Sequence, residues 1–162
     1  STHHLAGELL AKLANVKLLH VPYRGDAASL TALLGGEIPL VIAPPTAVLG
    51  QIKAGKMRVV AVTGSQRWGG MPDVPTVVEQ GVAGYDVRSW AGWLLPANTP
   101  AAVVERLNAE TRKAVALPQV KARLEEMGGE ARASSPQEMQ AMMTAELQKW
   151  VQVVGDARIP KL

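Results

Sequence analysis

The sequence contains no cysteine in its 162 residues. Disulfides, thiolate nucleophiles and Cys-based zinc sites are therefore excluded. A chain without thiols suits an oxidising and a reducing compartment equally, so the redox environment stays open. Concentrated charge of one sign is also missing. The 17 Lys and Arg are spread along the chain among 14 Asp and Glu, giving a net charge of +3. Nucleic-acid binders carry basic blocks, often interleaved with aromatics. No such block is present, so no nucleic-acid partner is expected. Weak attraction for anions is what the balance supports. No apolar run approaches about 20 residues, so no membrane-spanning helix is expected. No secretory signal pattern is read either.

What is present is alternation of short apolar runs with helical patterns. STHHLAGELLAKLAN places Leu5, Leu9, Leu10 and Leu13 on one helical face, with Ser1 or Thr2 as cap and Asn15 as stop. KLLHV, residues 17–21, reads as a buried strand. DAASLTALL follows as a helix, with Asp26 as N-cap and Gly35-Gly36 as its end. IPLVIA, 38–43, is a run suited to a strand covered on both faces. Pro44 and Pro45 break it, and a short helix is expected from about Thr46 to Ala54. MRVVAVT is the next strand, TVVEQG a short helix and YDVRSWAGWLLP a long strand. Thr99 and Pro100 signal the start of PAAVVERLNAETRKAVA. PQVKARLEEMGG is another helix, and EARA a short strand. A Ser135-x-x-Glu138 capping box opens the last helix. The class is α/β with a mainly parallel sheet flanked by helices.

The last helix carries Met139, Met142, Met143, Leu147, Trp150, Val151 and Val154 at helical spacing. Burying such side chains contributes about 1.5–3 kcal/mol each. Left in water they forgo on the order of 10 kcal/mol, the size of a domain's net stability. The stripe therefore implies a cover: this chain's own sheet, a second copy, or a further segment.

Catalytic constellations are scarce. His4 and Glu8 share a helical face, but no third metal ligand stands at useful spacing, so no metal site is expected. Ser29, Ser65, Ser89, Ser134 and Ser135 lie in no strand–turn–helix elbow. Lys53-Ala-Gly-Lys56 follows a helix instead of opening one, so it is no phosphate cradle. Glu125-Glu126 read as a solvated pair on a helix. No cofactor loop is found, and no enzyme activity is expected. The candidates that remain are loops at strand C-terminal ends: 22–27, 43–46 and 63–67. Ligands of open α/β sheets bind at that edge. The helix after Gly25 offers unpaired N–H groups and a positive dipole end, which suit a small anion such as a carboxylate. Read as structure alone, the same residues are a self-capped helix and a packed tyrosine.

The motifs HLAGELL, HVPYRG, LLGGEI, IKAGKMRVVAVT, PDVPTVVEQGVAGY, WAGWLLPANTP and VVERLN occur in this order over nearly the whole chain. Together they resemble the tripartite tricarboxylate transporter substrate-binding receptors, the Bug-type periplasmic proteins. The resemblance implies a receptor, not an enzyme, that closes two lobes on a small organic acid and delivers it to membrane transporter subunits. It implies a periplasmic location and a periplasmic-binding-protein-like fold. Family members are roughly twice this length, so the resemblance implies truncation at the N-terminus. Residues 1–96 would form most of the second, ligand-binding lobe. Residues 97–162 would form the hinge and C-terminal helices that return to the first lobe, and a homo-oligomer through those helices is expected.

By resemblance, Ser1 and Thr2 match a ligand-contacting turn. Tyr23, Arg24, Gly25, Asp26 and Ala27 match the loop and helix start of the pocket wall, with Arg24 leaning towards a surface charge. Ala43, Pro44 and Pro45 match the loop after the apolar strand. Many relatives carry Asp at the position of Ala43. Alanine accepts no side-chain hydrogen bond, which favours a plain or aromatic acid over an amino-bearing ligand. The competing reading is a self-associating structural module without useful ligand binding.

Overall fold

A computed structural model describes residues 1–157. Six helices follow in chain order: α1 Thr2–Ala14, α2 Asp26–Leu34, α3 Pro45–Lys53, α4 Ala101–Ala116, α5 Pro118–Glu126 and α6 Pro136–Asp156. The described residues fall into two compact units. The first holds Ser1–Ser89 and the residues from Val153 on, and the second holds Trp90–Gln152.

Most helix ends follow local chemistry. Ser1 caps α1, its Oγ accepting from His4 N–H at 3.4 Å. Asn15 ends the same helix at φ 52°, the left-handed conformation that asparagine tolerates. The capping box of α6 forms as expected: Ser135 N–H donates to Glu138 Oε2 at 2.7 Å, and Glu138 N–H donates to Ser135 Oγ at 3.1 Å. The Glu138 carboxyl is held below its usual pKa by the Ser135 N–H first and then by the Ser135 hydroxyl, which donates to Glu138 Oε2 at 2.9 Å.

Other ends differ from expectation. Gly25, not Asp26, caps α2. Its φ of 89° and ψ of 173° suit glycine alone, and Asp26 becomes the first helical residue. Pro45 opens α3 instead of only breaking the strand before it, because its missing N–H has no helical partner at that position anyway. Pro100 caps α4, and Thr99 Oγ1 instead donates to Pro96 O at 2.8 Å. The expected helix TVVEQG is a single reciprocal turn. Glu79 N–H donates to Thr76 Oγ1 at 3.0 Å and Thr76 N–H to Glu79 Oε2 at 2.7 Å.

The segments expected as strands lie outside helices, but among the described residues they form no ladder. Val62 and Thr76 make an isolated parallel bridge, and Val87 N–H donates to Thr63 O at 2.8 Å. The physical reason is exposure. Leu19 is 89% exposed, and Leu40 and Val60 also face solvent. Backbone groups open to water do not need a neighbouring strand to satisfy them.

The first unit is organised around α1. Ala6 and Leu9 are buried with Leu30 and Ala32 of α2, Thr76, Tyr85, Val87 and Val153. Helix α2 packs on α3. In the second unit α4 packs on α5, and neither helix buries a residue. Asn108 Nδ2 donates to Ser134 O at 2.8 Å, and Met139 lies hard against Gly92.

Candidate functional site

Helix α1 gathers the segments that carry the candidate residues. Ser1 and Thr2 start it, both exposed. One residue on, His3 Nδ1 stands 3.9 Å from Asp26 Oδ1, tying the start of α1 to the start of α2. His4 stacks face to face on His20, with ring centroids 3.6 Å apart and planes 8° from parallel. His4 Nε2 also meets Glu8 Oε1 at 3.2 Å. A side chain at Gly7 would touch Ile42 Cδ1 at 3.9 Å, so α1 runs beside the residue preceding Ala43. The Tyr85 hydroxyl donates to Ala6 O at 3.2 Å from a fully buried position. Burial pushes the Tyr85 pKa up to about 12.

Between His20 and α2 the chain turns tightly: Gly25 N–H donates to Tyr23 O at 3.1 Å across Arg24. Tyr23 is half-buried. Arg24 is exposed and, among the described residues, has no ion pair. No side chain caps α2. Its first-turn N–H groups and positive dipole end are therefore not taken up by a capping oxygen. Asp26 stands at that end with His3 beside it. Ala27 sits in the first turn, its carbonyl accepting from Thr31 Oγ1 at 3.0 Å. Ala43, Pro44 and Pro45 are half-buried and lead into α3, which also lacks a side-chain cap.

The arrangement places two uncapped helix starts, one exposed arginine and a stacked histidine pair around α1. Chemically it can hold an anion through N–H donors. It offers no nucleophile–base pair, and among the described residues no three of His, Asp and Glu gather as metal ligands. His4, considered above for metal, is instead engaged by Glu8 and His20. The His20 pKa is lowered, first by burial and then by His4, with Glu8 partly opposing.

Two polar clusters escaped the sequence reading. In the 63–67 loop, Ser65 N–H donates to Asp86 Oδ1 at 2.9 Å, and Arg88 bonds both Asp86, at 3.0 Å, and Ser65 Oγ. The signal was the alternation in YDVR: Tyr85 and Val87 are buried, while Asp86 and Arg88 carry the polar contacts. Arg67 forms a fork to both Glu79 oxygens at 3.0 Å and donates to Pro72 O at 3.1 Å. A separate cleft between α1 and the end of α6 is lined by Glu8, Lys12, Val16, Val153 and Asp156, and a Lys12–Asp156 ion pair spans it.

The family model described as "Tripartite tricarboxylate transporter family receptor" matches residues 1–158. The chain belongs to this family. A relative from Pseudomonas sp. strain P51, "UPF0065 protein in tcbD-tcbE intergenic region", is 38% identical over 96% of this chain and 47% of its own length. Rhodopseudomonas palustris Rpa4515, solved with adipate, superposes with a TM-score of 0.87 at 35% identity, covering 100% of this chain and 54% of that one. The periplasmic binding protein BugD superposes at 0.79 with 31% identity, covering 99% and 54%. MatC from the same species as Rpa4515, solved with malate, superposes at 0.76 with 28% identity, covering 95% and 53%. The chain thus spans about half the length of these proteins. Its fold is that of one lobe of a periplasmic binding protein.

Proposed function

We propose that this receptor chain binds a small organic acid through its carboxylate and serves a tripartite tricarboxylate-type uptake system in the periplasm, as a binding protein without catalysis. The observation that carries the reading is the start of α2. A glycine at φ 89° opens that helix with no side-chain cap, and the His3–Asp26 approach sets it beside the start of α1. Helix starts of this kind hold carboxylates through N–H donors and the dipole. Ser1, Thr2, Tyr23, Gly25, Asp26, Ala27 and the Ala43–Pro45 turn form the wall, with Arg24 at its edge. Alanine at 43 offers no acceptor for an amino group, so plain acids are the preferred class. The adipate and malate seen in two structural neighbours have this chemistry.

Thermal unfolding against rising adipate and malate tests the proposal. A ligand at 100 times its dissociation constant stabilises the folded state by about 2.7 kcal/mol. For a chain of this size that raises the melting temperature by roughly 5–10 °C. A folded chain whose melting temperature ignores both acids at every concentration overturns the proposal.

A second reading, self-association through the C-terminal helices, has its own support. Leu147 and Val151, one turn apart on α6, are 65% and 64% exposed. Native mass spectrometry checks this reading: a dimer that Leu147→Lys converts to monomer supports it, and a wild-type monomer refutes it.

A further inference from the structure

The histidine pair lies outside every residue assigned to the pocket wall, yet it joins two of the segments that carry those residues. His4 belongs to the first turns of α1. His20 immediately precedes the Val21–Gly25 turn that opens α2. Their stack at 3.6 Å is the ring contact joining these two segments, next to the looser His3–Asp26 approach at 3.9 Å. We propose that His4 and His20 are positioning residues for the carboxylate wall, and that double protonation of the pair releases the turn before α2 from α1. The inference rests on the carboxylate-binding reading above.

The physical argument is direct. Two neutral imidazoles, or one neutral and one cationic, stack favourably face to face. Two imidazolium rings at that separation repel, because like charges a few ångströms apart disfavour ionisation of the second. The groups facing the pair are few. Glu8, on α1, meets His4 Nε2 at 3.2 Å and acts to raise the His20 pKa. The Ser1 amino group disfavours a proton on His20, as His4 does. Asp26, on α2, is engaged by His3. A proton on His20 is therefore opposed first by desolvation, then by His4 and the amino terminus, and Glu8 offsets them only in part. Histidine is the side chain that makes such a transition in the pH range below 6.5.

The turn is short, so its freedom matters for binding. Five residues separate His20 from Asp26, with Gly25 in a conformation that only glycine sustains. Loss of the stack removes one of the two side-chain ties described between that segment and α1, leaving the His3–Asp26 approach. A wall that must be reordered on binding loses affinity by the fraction of time it is disordered.

The test compares wild type with His20→Phe and His20→Ala. Phenylalanine keeps a flat ring on His4 but does not titrate; alanine removes the stack at every pH. Adipate affinity is measured by calorimetry from pH 7.5 to 5.5, and each variant is divided by wild type at the same pH, which cancels the ligand's own titration. Unfolding temperature without ligand is measured in parallel. His20→Ala is expected to bind about tenfold more weakly than wild type at pH 7.5. His20→Phe is expected to match wild type at pH 7.5 and to bind several-fold more tightly than it at pH 5.5. Without ligand, the unfolding temperature of wild type should fall relative to His20→Phe across the same interval. Equal pH profiles for wild type and His20→Phe in both measurements overturn the proposal. If adipate binds none of the proteins, the carboxylate reading fails by itself. The ligand-free unfolding profile then still decides whether the pair is a proton-sensitive tie.

Discussion

Gly25 and Gly50 are a matched pair that tests how α2 begins. At both positions an added Cβ would meet no atom within 4 Å. Packing therefore contributes nothing to either alanine substitution, and only backbone preference remains. At Gly25 the backbone sits at φ 89° and ψ 173°. L-residues there pay roughly 1–3 kcal/mol. Gly50 lies inside α3, where alanine is favoured over glycine by roughly 0.5–1 kcal/mol. Gly25→Ala should therefore destabilise and Gly50→Ala stabilise, with a gap of about 1.5–4 kcal/mol between them. Against a typical net stability of about 5–15 kcal/mol, the gap is readily measured. Urea unfolding followed by circular dichroism gives both values. With a slope of about 1–3 kcal/mol per molar, the Gly25→Ala midpoint should drop by roughly 1 M. D-Alanine at position 25, introduced by chemical ligation, should recover the loss, since the glycine conformation there is the mirror image of ordinary extended backbone. Two alanine variants shifting in the same direction, or a silent Gly25→Ala, would refute the claim that this conformation starts the helix.

Three further outcomes follow from contacts of the first unit. Tyr85→Phe removes the hydroxyl bond to Ala6 O and should cost about 1 kcal/mol at neutral pH, read by urea midpoint. Because the folded Tyr85 pKa is raised from 10.0 to about 12, its protonated form belongs to the fold. Wild type should therefore lose stability as pH rises from 10 to 12, and Tyr85→Phe should lack that loss. The Glu79 carboxyl is held below its usual pKa by Arg67 first and then by the Thr76 N–H. Its contribution is complete above the unfolded value of 4.5 and vanishes as pH falls through the lower folded value. The stability difference between wild type and Glu79→Gln should shrink over that acid range. Gly7→Ala should be tolerated, since its Cβ would meet Ile42 at an ordinary 3.9 Å, whereas Gly7→Leu should push the 42–45 segment from α1 and weaken adipate binding, measured by calorimetry.

The helices were legible because their signals are local. Ser1, Asn15 and the Ser135–Glu138 box act within one turn of themselves, and each appears as read. The start of α2 was misplaced by one residue because glycine and aspartate both favour helix caps; a positive φ, which spacing does not encode, decides between them. The stripe on α6 was half-legible. Met139, Met143, Trp150 and Val154 are partly covered, but Leu147 and Val151 stay exposed, and Val153, outside the stripe, is buried. Periodicity gives a face; the neighbour selects its width. The Lys12–Asp156 ion pair and the contacts of Val153 are long-range, so no window of α6 contains them. The strands were legible as apolar segments and not as a ladder, because pairing depends on what lies alongside.

The proposed pocket wall rests on motif, and the reason its segments lie beside α1 was not legible in the sequence. It lies in the first eight residues, STHHLAGE, which reach outward by four different means. His3 reaches Asp26, and His4 lies on His20. Gly7, having no side chain, lets Ile42 approach. Ala6 presents a carbonyl to the buried Tyr85 hydroxyl. Polar reach, ring stacking, absence of bulk and a backbone acceptor are distinct chemistries, and none repeats with helical period. A reading that looks for one apolar face finds Leu5, Leu9 and Leu13 and passes over them. These contacts also differ in hardness. The tyrosine bond and the glycine contact do not titrate near neutral pH, so they fix α1 to Tyr85 and to the 42–45 segment. The two histidine contacts, His3 to Asp26 and His4 to His20, both tie α1 to the segment that opens α2. The same helix therefore meets the 42–45 segment through the bare backbone of Gly7 and the segment before α2 through two imidazole rings.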